Sequence, residues 1–180
     1  MNLPNKLTMF RIFLIPFFVF FLLTNFVPGS NYIALCIFAL ASLTDLLDGK
    51  IARKYNLVTN FGKFMDPIAD KLLVAAALIA FVETGAIPAW IVIILIAREF
   101  VVSGFRLVAS DAGIVLAAGW SGKFKTAIQM IMCCLLIVGL GERFFAMYVV
   151  EQVLIYASLV LSIVSMIEYL VKNRKVISDM

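Results

Sequence analysis

Asp45-Leu46-Leu47-Asp48-Gly49-Lys50-Ile51-Ala52-Arg53, followed after eight residues by Gly62-Lys63-Phe64-Met65-Asp66-Pro67-Ile68-Ala69-Asp70, sets four carboxylates into otherwise apolar sequence. A carboxylate at the centre of a bilayer costs roughly 2.5–3.5 kcal/mol even on a lenient insertion scale. Four of them close together need a compensating positive charge. A bound divalent cation is the obvious supplier, and a phosphate-bearing substrate is the obvious reason to hold one.

The surrounding sequence makes a bilayer the relevant solvent. Of 180 residues, 64% are hydrophobic and 14% charged, and the mean hydropathy is +1.08. Soluble domains are about half apolar and about a quarter charged. The expected fold is therefore an all-α integral membrane protein, one domain over 1–180. Apolar runs and their breakers predict six transmembrane helices, at about 11–27, 32–54, 63–84, 87–109, 122–140 and 147–171. Pro28-Gly29, Gly85, Pro88, Gly139 and Gly141 mark the joints.

Basic residues alternate between the links. Lys6 and Arg11 precede the first span. Lys50, Arg53, Lys54 and Lys63 flank the second link, and Arg98, Arg106, Lys123 and Lys125 lie towards the fourth. Lys172, Arg174 and Lys175 follow the sixth span, whereas the opposite links hold only Arg143. The positive-inside rule then puts both termini in the cytoplasm and the aspartates near that face. The net charge of +4 reads as topology rather than as nucleic-acid affinity. The stretch after the first span lacks a small-residue cleavage site, so an uncleaved span is expected rather than a signal peptide.

No histidine occurs, which removes His-ligated metals, Ser-His hydrolysis and phosphohistidine chemistry. Cys36, Cys133 and Cys134 form no C-x-x-C pair and read as small buried hydrophobes. The chemistry is left to carboxylates, Lys, Arg, Ser, Thr and metal.

On a wheel turning about 100° per residue, Asp48 lies about −60° from Asp45, Gly49 about +40°, Ala52 about −20° and Arg53 about +80°. Two carboxylates, two small residues and a guanidinium share one broad face. Gly62, Asp66 and Asp70 follow at i, i+4, i+8 as a single stripe on the next helix. A short link makes the two helices antiparallel neighbours. Four oxygen donors around one cavity suit one or two hard cations, Mg²⁺ or Mn²⁺. Small residues there admit a base, a ribose or a diphosphate to the backbone. Close helix packing would explain the glycines alone, but not glycines beside four aspartates.

The pattern D-x-x-D-G-x-x-A-R-(x)8-G-x-x-x-D-x-x-x-D resembles the signature of the CDP-alcohol phosphotransferases. The resemblance implies six transmembrane helices, a homodimer, and a divalent metal pair at the inner membrane edge. It implies transfer of a phosphatidyl or phosphoalcohol group from a CDP-linked donor, here CDP-diacylglycerol, with release of CMP. Position by position, it assigns Asp45, Asp48, Asp66 and Asp70 to the metals, with Asp70 also the general base. It sets Asp48, Gly49, Ala52, Arg53, Gly62 and Asp66 against the CDP moiety. Asn5 and Thr8, in Asn2-Leu3-Pro4-Asn5-Lys6-Leu7-Thr8-x-x-Arg11, either reach the nucleotide or cap the first helix.

The acceptor must be read from other polar residues. Arg98 and Arg106 lie about 80° apart on the wheel, in the segment Arg98-Glu99-Phe100-Val101-Val102-Ser103-Gly104-x-Arg106. With Ser103, and with Lys125 from Gly122-Lys123-x-Lys125-Thr126-x-x-Gln129, they are expected to form a phosphate site. Lys125 is preferred to Lys123 because Thr126 and Gln129 continue a polar patch. The acceptor is then itself a phosphate ester. From Asn2 to about Met130 the segments resemble those of family members that use sn-glycerol 3-phosphate, in a bacterial plasma membrane, with the active site facing the cytoplasm. The sixth span adds nothing diagnostic.

Inositol phosphate, serine and phosphatidylglycerol are the competing acceptors, of which serine has no use for a phosphate pocket. An ion transporter is a remoter reading, since intramembrane carboxylates often mark ion paths. It would set them near the midplane in two symmetric repeats, whereas these crowd one helical hairpin. A non-catalytic scaffold would tolerate loss of Asp70. Glu83, Asp111, Glu142, Glu151, Glu168 and Asp179 read as solvated or interfacial charges, and Glu99 as the partner of a neighbouring Arg.

Overall fold

The computed structural model describes the backbone of residues 2–24, 26–54, 60–111 and 119–173. Side chains at 3, 4, 45–54, 60, 61, 63, 64, 66, 67, 110 and 111 also lie outside the description. The side chains of Asp45, Asp48, Ala52, Arg53 and Asp66, the Gly49 surroundings, and Asp111, Arg174, Lys175 and Asp179 are therefore outside the described residues.

Six α-helices are described: α1 (Leu3–Leu23), α2 (Ser30–Lys54), α3 (Asn60–Glu83), α4 (Ala89–Asp111), α5 (Trp120–Val138) and α6 (Phe145–Lys172). A single 3-10 turn, Leu140–Glu142, precedes α6. No strand occurs among the described residues. Asn5–Leu23, Trp120–Val138 and Phe145–Lys172 are each long and apolar enough to cross a membrane, and Ser30–Thr44 is a shorter apolar helix. Such a chain is a helical membrane protein, because only helices and closed barrels satisfy every backbone group in lipid.

The largest departure from the hydropathy reading is α1. It starts at Leu3 rather than near residue 11, and stops at Leu23 rather than 27. Asn5, Thr8, Arg11, Ile15 and Phe18 recur every three or four residues and are all buried. That spacing is one helix face, so the polar start belongs to the helix and not to a flank. The helix ends where Thr24 turns extended, its N–H and hydroxyl both bonded to Phe20 O. Gly29, with φ +85°, allows the turn into α2, and Ser30 Oγ exchanges hydrogen bonds with the Val27 backbone. The other helices start or end within a few residues of expectation.

The chain forms two compact units. The first holds Met1–Ala86 with Ile137–Gly139, and the second Ile87–Leu136 with Leu140–Met180. In the first, α1 packs on α2 and α3, which also touch each other. Ala34, Phe38 and Ala41 of α2 and Ala69, Leu73 and Ala77 of α3 are buried at helical spacing. Alanines let backbones approach closely, which drives helix association where no hydrophobic gradient exists. Phe18 and Phe38 fill the gap between α1 and α2, with ring centroids 5.5 Å apart.

In the second unit α4 packs on α6, and the 3-10 turn also lies against α6. Of the two readings for Glu151, solvated or interfacial, the solvated one falls away. Glu151 is 7% exposed and accepts the Gly141 N–H at 3.0 Å. The tight turn before α6 leaves that N–H needing an acceptor, and the carboxylate supplies it. Glu83, Glu142 and Glu168 are exposed, as expected. Cys133 is buried but Cys36 is exposed on α2, so only part of the cysteine expectation holds.

Candidate active site

Thr44 ends the apolar stretch of α2, and the next residues of that helix are Asp45 to Arg53. The first unit fixes this point with a buried arginine. Arg11 is 0% exposed, and its Nε donates to Ala41 O at 3.1 Å and to Thr44 Oγ1 at 3.4 Å. Thr44 Oγ1 in turn donates to Ala41 O at 2.6 Å. A guanidinium so deep in apolar packing must be compensated. Counted from sequence as a flanking charge, Arg11 is instead a structural tie between α1 and the turn that leads into Asp45. Its i+3 spacing from Thr8 was the signal that could have revealed it.

Asn5 and Thr8 share the buried face of Arg11. The residue at the N-cap position is Asn2, which makes no side-chain cap bond. Neither Asn5 nor Thr8 is the cap, so that alternative falls away.

Asp45, Asp48, Gly49, Ala52 and Arg53 lie on α2, and Gly62, Asp66 and Asp70 on α3. These two helices are in contact within one unit. Gly62 is buried and Asp70 exposed. Among the described residues no three His, Cys, Asp or Glu side chains gather into a metal-binding group. The donor set itself suits a hard divalent cation: four carboxylates on adjoining helices of a chain without histidine.

The second unit carries a cluster of cations. Arg98 on α4 and Lys125 on α5 are 8% and 1% exposed. Glu99 Oε1 accepts from Arg98 Nη1 at 3.1 Å and pairs with Lys125 Nζ. Arg98 Nη2 donates to Ser165 Oγ of α6 at 2.9 Å. A Cβ on Gly122 would lie 3.7 Å from Arg98 Nη2, so the start of α5 runs close to the guanidinium. Sequence reading named Arg98 and Lys125 and paired Glu99 with a neighbouring Arg, as observed, but it did not foresee the Glu99–Lys125 pair and gave no role to the sixth span. Ser165 corrects the latter, and only tertiary contact reveals it.

Ser103 and Arg106 are not in this cluster. Ser103 Oγ bonds back to Glu99 O at 2.5 Å, an intrahelical bond. Arg106 is exposed and stacks over Tyr169, 5.5 Å from the ring centroid. Tyr169 and Ser165 are one turn apart on α6, so Arg98 and Arg106 reach the same helix at successive turns. Thr126 does not extend the polar patch. It is exposed, with its hydroxyl on Gly122 O at 3.0 Å. Gln129 does extend it, 3% exposed one turn beyond Lys125. Lys123 is exposed over the Trp120 ring, 4.8 Å from its centroid.

A helical membrane protein with an acidic pair of contacting helices and a buried cationic cluster is thus defined. A family model for CDP-alcohol phosphatidyltransferase matches residues 1–164, and the chain belongs to that family. It is similar to the CDP-diacylglycerol–glycerol-3-phosphate 3-phosphatidyltransferase of Bacillus subtilis (strain 168), 43% identical over 96% of this chain and 95% of the relative. The Haemophilus influenzae protein of the same name is 42% identical over 94% of this chain and 91% of its own length. A probable phosphatidylglycerophosphate synthase of Mycobacterium tuberculosis is 35% identical over 95% of this chain and 81% of its length.

Proposed function

We propose that the protein is a phosphatidylglycerophosphate synthase. It transfers the phosphatidyl group of CDP-diacylglycerol to a hydroxyl of sn-glycerol 3-phosphate and releases CMP. The meeting of buried Arg98 and Lys125 at one point carries the acceptor reading. Two buried cations side by side suit an anionic group, and a phosphate can take the planar fork of Arg together with the ammonium of Lys.

The chain acts as one domain over 1–180, with six spans, both termini and the active site on the cytoplasmic side of a bacterial plasma membrane, and as a homodimer. Asp45, Asp48, Asp66 and Asp70 would hold one or two Mg²⁺ or Mn²⁺ ions, whose charge would neutralise the diphosphate and stabilise departing CMP. Asn5, Thr8, Asp48, Gly49, Ala52, Arg53, Gly62 and Asp66 cradle the CDP moiety. Arg98 and Lys125 hold the acceptor phosphate, with Arg106 and Ser103 on the following turns of α4. Asp70 takes the proton of the acceptor hydroxyl as its oxygen attacks the phosphorus attached to the lipid. The bond from that phosphorus to the CMP oxygen breaks, and CMP leaves with the bridging oxygen. Transfers of this kind depend mostly on positioning and charge neutralisation, which rigid helices supply.

The test is CMP release by purified protein from CDP-diacylglycerol with Mg²⁺ or Mn²⁺, comparing sn-glycerol 3-phosphate, inositol phosphate, serine and phosphatidylglycerol. Release is expected with sn-glycerol 3-phosphate alone and is lost on chelation. Release with serine alone would overturn the acceptor. Folded protein that releases no CMP with any acceptor would overturn the chemistry.

A further inference from the structure

The cationic cluster is closed by an anion of its own. One carboxylate oxygen, Glu99 Oε1, serves both Arg98 Nη1 and Lys125 Nζ. The side chains of Arg98 and Lys125 are 9% and 2% exposed, and that of Glu99 is 25% exposed. The two cations are enclosed, and the anion is the most exposed of the three side chains. Arg98 is further held by Ser165, so its position does not depend on Glu99 alone.

The cluster also holds more donors than a carboxylate can serve. Arg98 Nε and Gln129 Nε2 are buried with no hydrogen-bond partner among the described residues. Buried donors are ordinarily partnered, and exceptions call for an explanation such as an absent ligand. A phosphate monoester presents three terminal oxygens and up to two charges, against two oxygens and one charge for Glu99.

We propose that Glu99 is a specificity-determining residue that occupies the anion seat of the acceptor site and yields it to the acceptor's phosphate. This rests on the acceptor reading above. While the site is empty, Glu99 keeps two buried cations compensated, which an unpaired arrangement could not sustain. A neutral acceptor cannot displace it. A singly charged anion gains little, because it only replaces an equal charge. A dianionic phosphate ester gains on both charge and donor count. Glu99 thus sets a threshold that discriminates by penalising the wrong acceptor, as specific sites commonly do.

The test is calorimetric titration of the purified full-length protein with inorganic phosphate and with sn-glycerol 3-phosphate, in wild type and Glu99→Gln. The variant is expected to bind inorganic phosphate at least tenfold more tightly. Its CMP release should be inhibited by inorganic phosphate at concentrations that leave the wild type unaffected. Its melting temperature should be lowered without phosphate and restored by it. If Glu99 instead stays on the cations as a fixed brace, Glu99→Gln binds both anions more weakly or unchanged, and the proposal is overturned. Should Glu99→Gln fail to fold, Glu99→Asp decides: its charge is kept but its reach is shorter, so tighter phosphate binding supports the proposal and weaker or equal binding sinks it. Wild type that releases no CMP with sn-glycerol 3-phosphate would overturn the acceptor reading, whereas the phosphate titrations report on Glu99.

Discussion

Replacing Arg98 with Gln should raise the KM for sn-glycerol 3-phosphate by about 5-fold to 30-fold, with kcat changed by less than about threefold. The magnitude follows from what Arg98 touches. A hydrogen bond to a charged group contributes about 1.5–3 kcal/mol. Part of that is offset, because Nη1 gives up Glu99, now 3.1 Å away, when phosphate arrives. The Ser165 bond is made in both states and cancels. A net loss of about 1–2 kcal/mol remains, which is roughly one decade in affinity. The fold should survive, because Ser165 Oγ keeps its bond to Ser162 O and Glu99 keeps Lys125. The assay is CMP release at saturating CDP-diacylglycerol with the acceptor varied, then the reverse. A KM effect on the acceptor alone marks lost ground-state binding of that substrate. An unchanged acceptor KM, or an equal rise in both KM values, would refute the assignment.

Asp70→Asn should lower turnover by at least about 10²–10⁴-fold, the usual contribution of a general base. Asp70 is exposed, so the variant should stay folded, and a well-folded, fully active variant would remove the enzyme reading. Gly141→Ala should destabilise the junction before α6, because a Cβ there meets the Glu151 carboxylate. The carboxylate is the far end of a flexible side chain and can swing aside, so the cost is chiefly the Gly141 N–H bond it gives up, about 0.5–1.5 kcal/mol, a modest fall in thermal unfolding temperature with activity retained. Arg11→Met should leave the Thr44–Ala41 bond in place and cost about 1–3 kcal/mol of stability. It should lower kcat more than tenfold without moving the acceptor KM, because Arg11 sets the turn that enters Asp45; unaltered kcat would show that Arg11 is structural only.

The membrane character and the helix count were legible because apolar runs and glycine or proline joints are local signals. The aspartate spacing was legible because a period of three or four residues is written into the chain. What was missed is tertiary. Arg11 was counted as a flanking charge, and Asn5 and Thr8 as nucleotide contacts or caps outside the first span, although the spacing of the three fits one buried helix face. Glu99 could be assigned to Arg98 from adjacency, but its pairing with Lys125 joins residues 26 apart. Ser165 lies 67 residues from Arg98, and a serine in an apolar helix carries no mark of its partner. Thr126 was assigned to the wrong face because its neighbour Lys125 is buried while Thr126 itself is exposed. Glu151 was read as solvated or interfacial because no local pattern announces a carboxylate that caps a turn ten residues earlier.

The most direct test of the central claim follows the acceptor oxygen. Purified protein is given CDP-diacylglycerol, Mg²⁺ and sn-glycerol 3-phosphate whose hydroxyl oxygens carry ¹⁸O, and the lipid product and CMP are examined by mass spectrometry. Attack by the acceptor hydroxyl on the lipid-bound phosphorus predicts phosphatidylglycerol phosphate that retains the label at its new ester linkage, and CMP with none. Label in CMP, or a nucleotide-linked glycerol phosphate in place of the lipid, would contradict it.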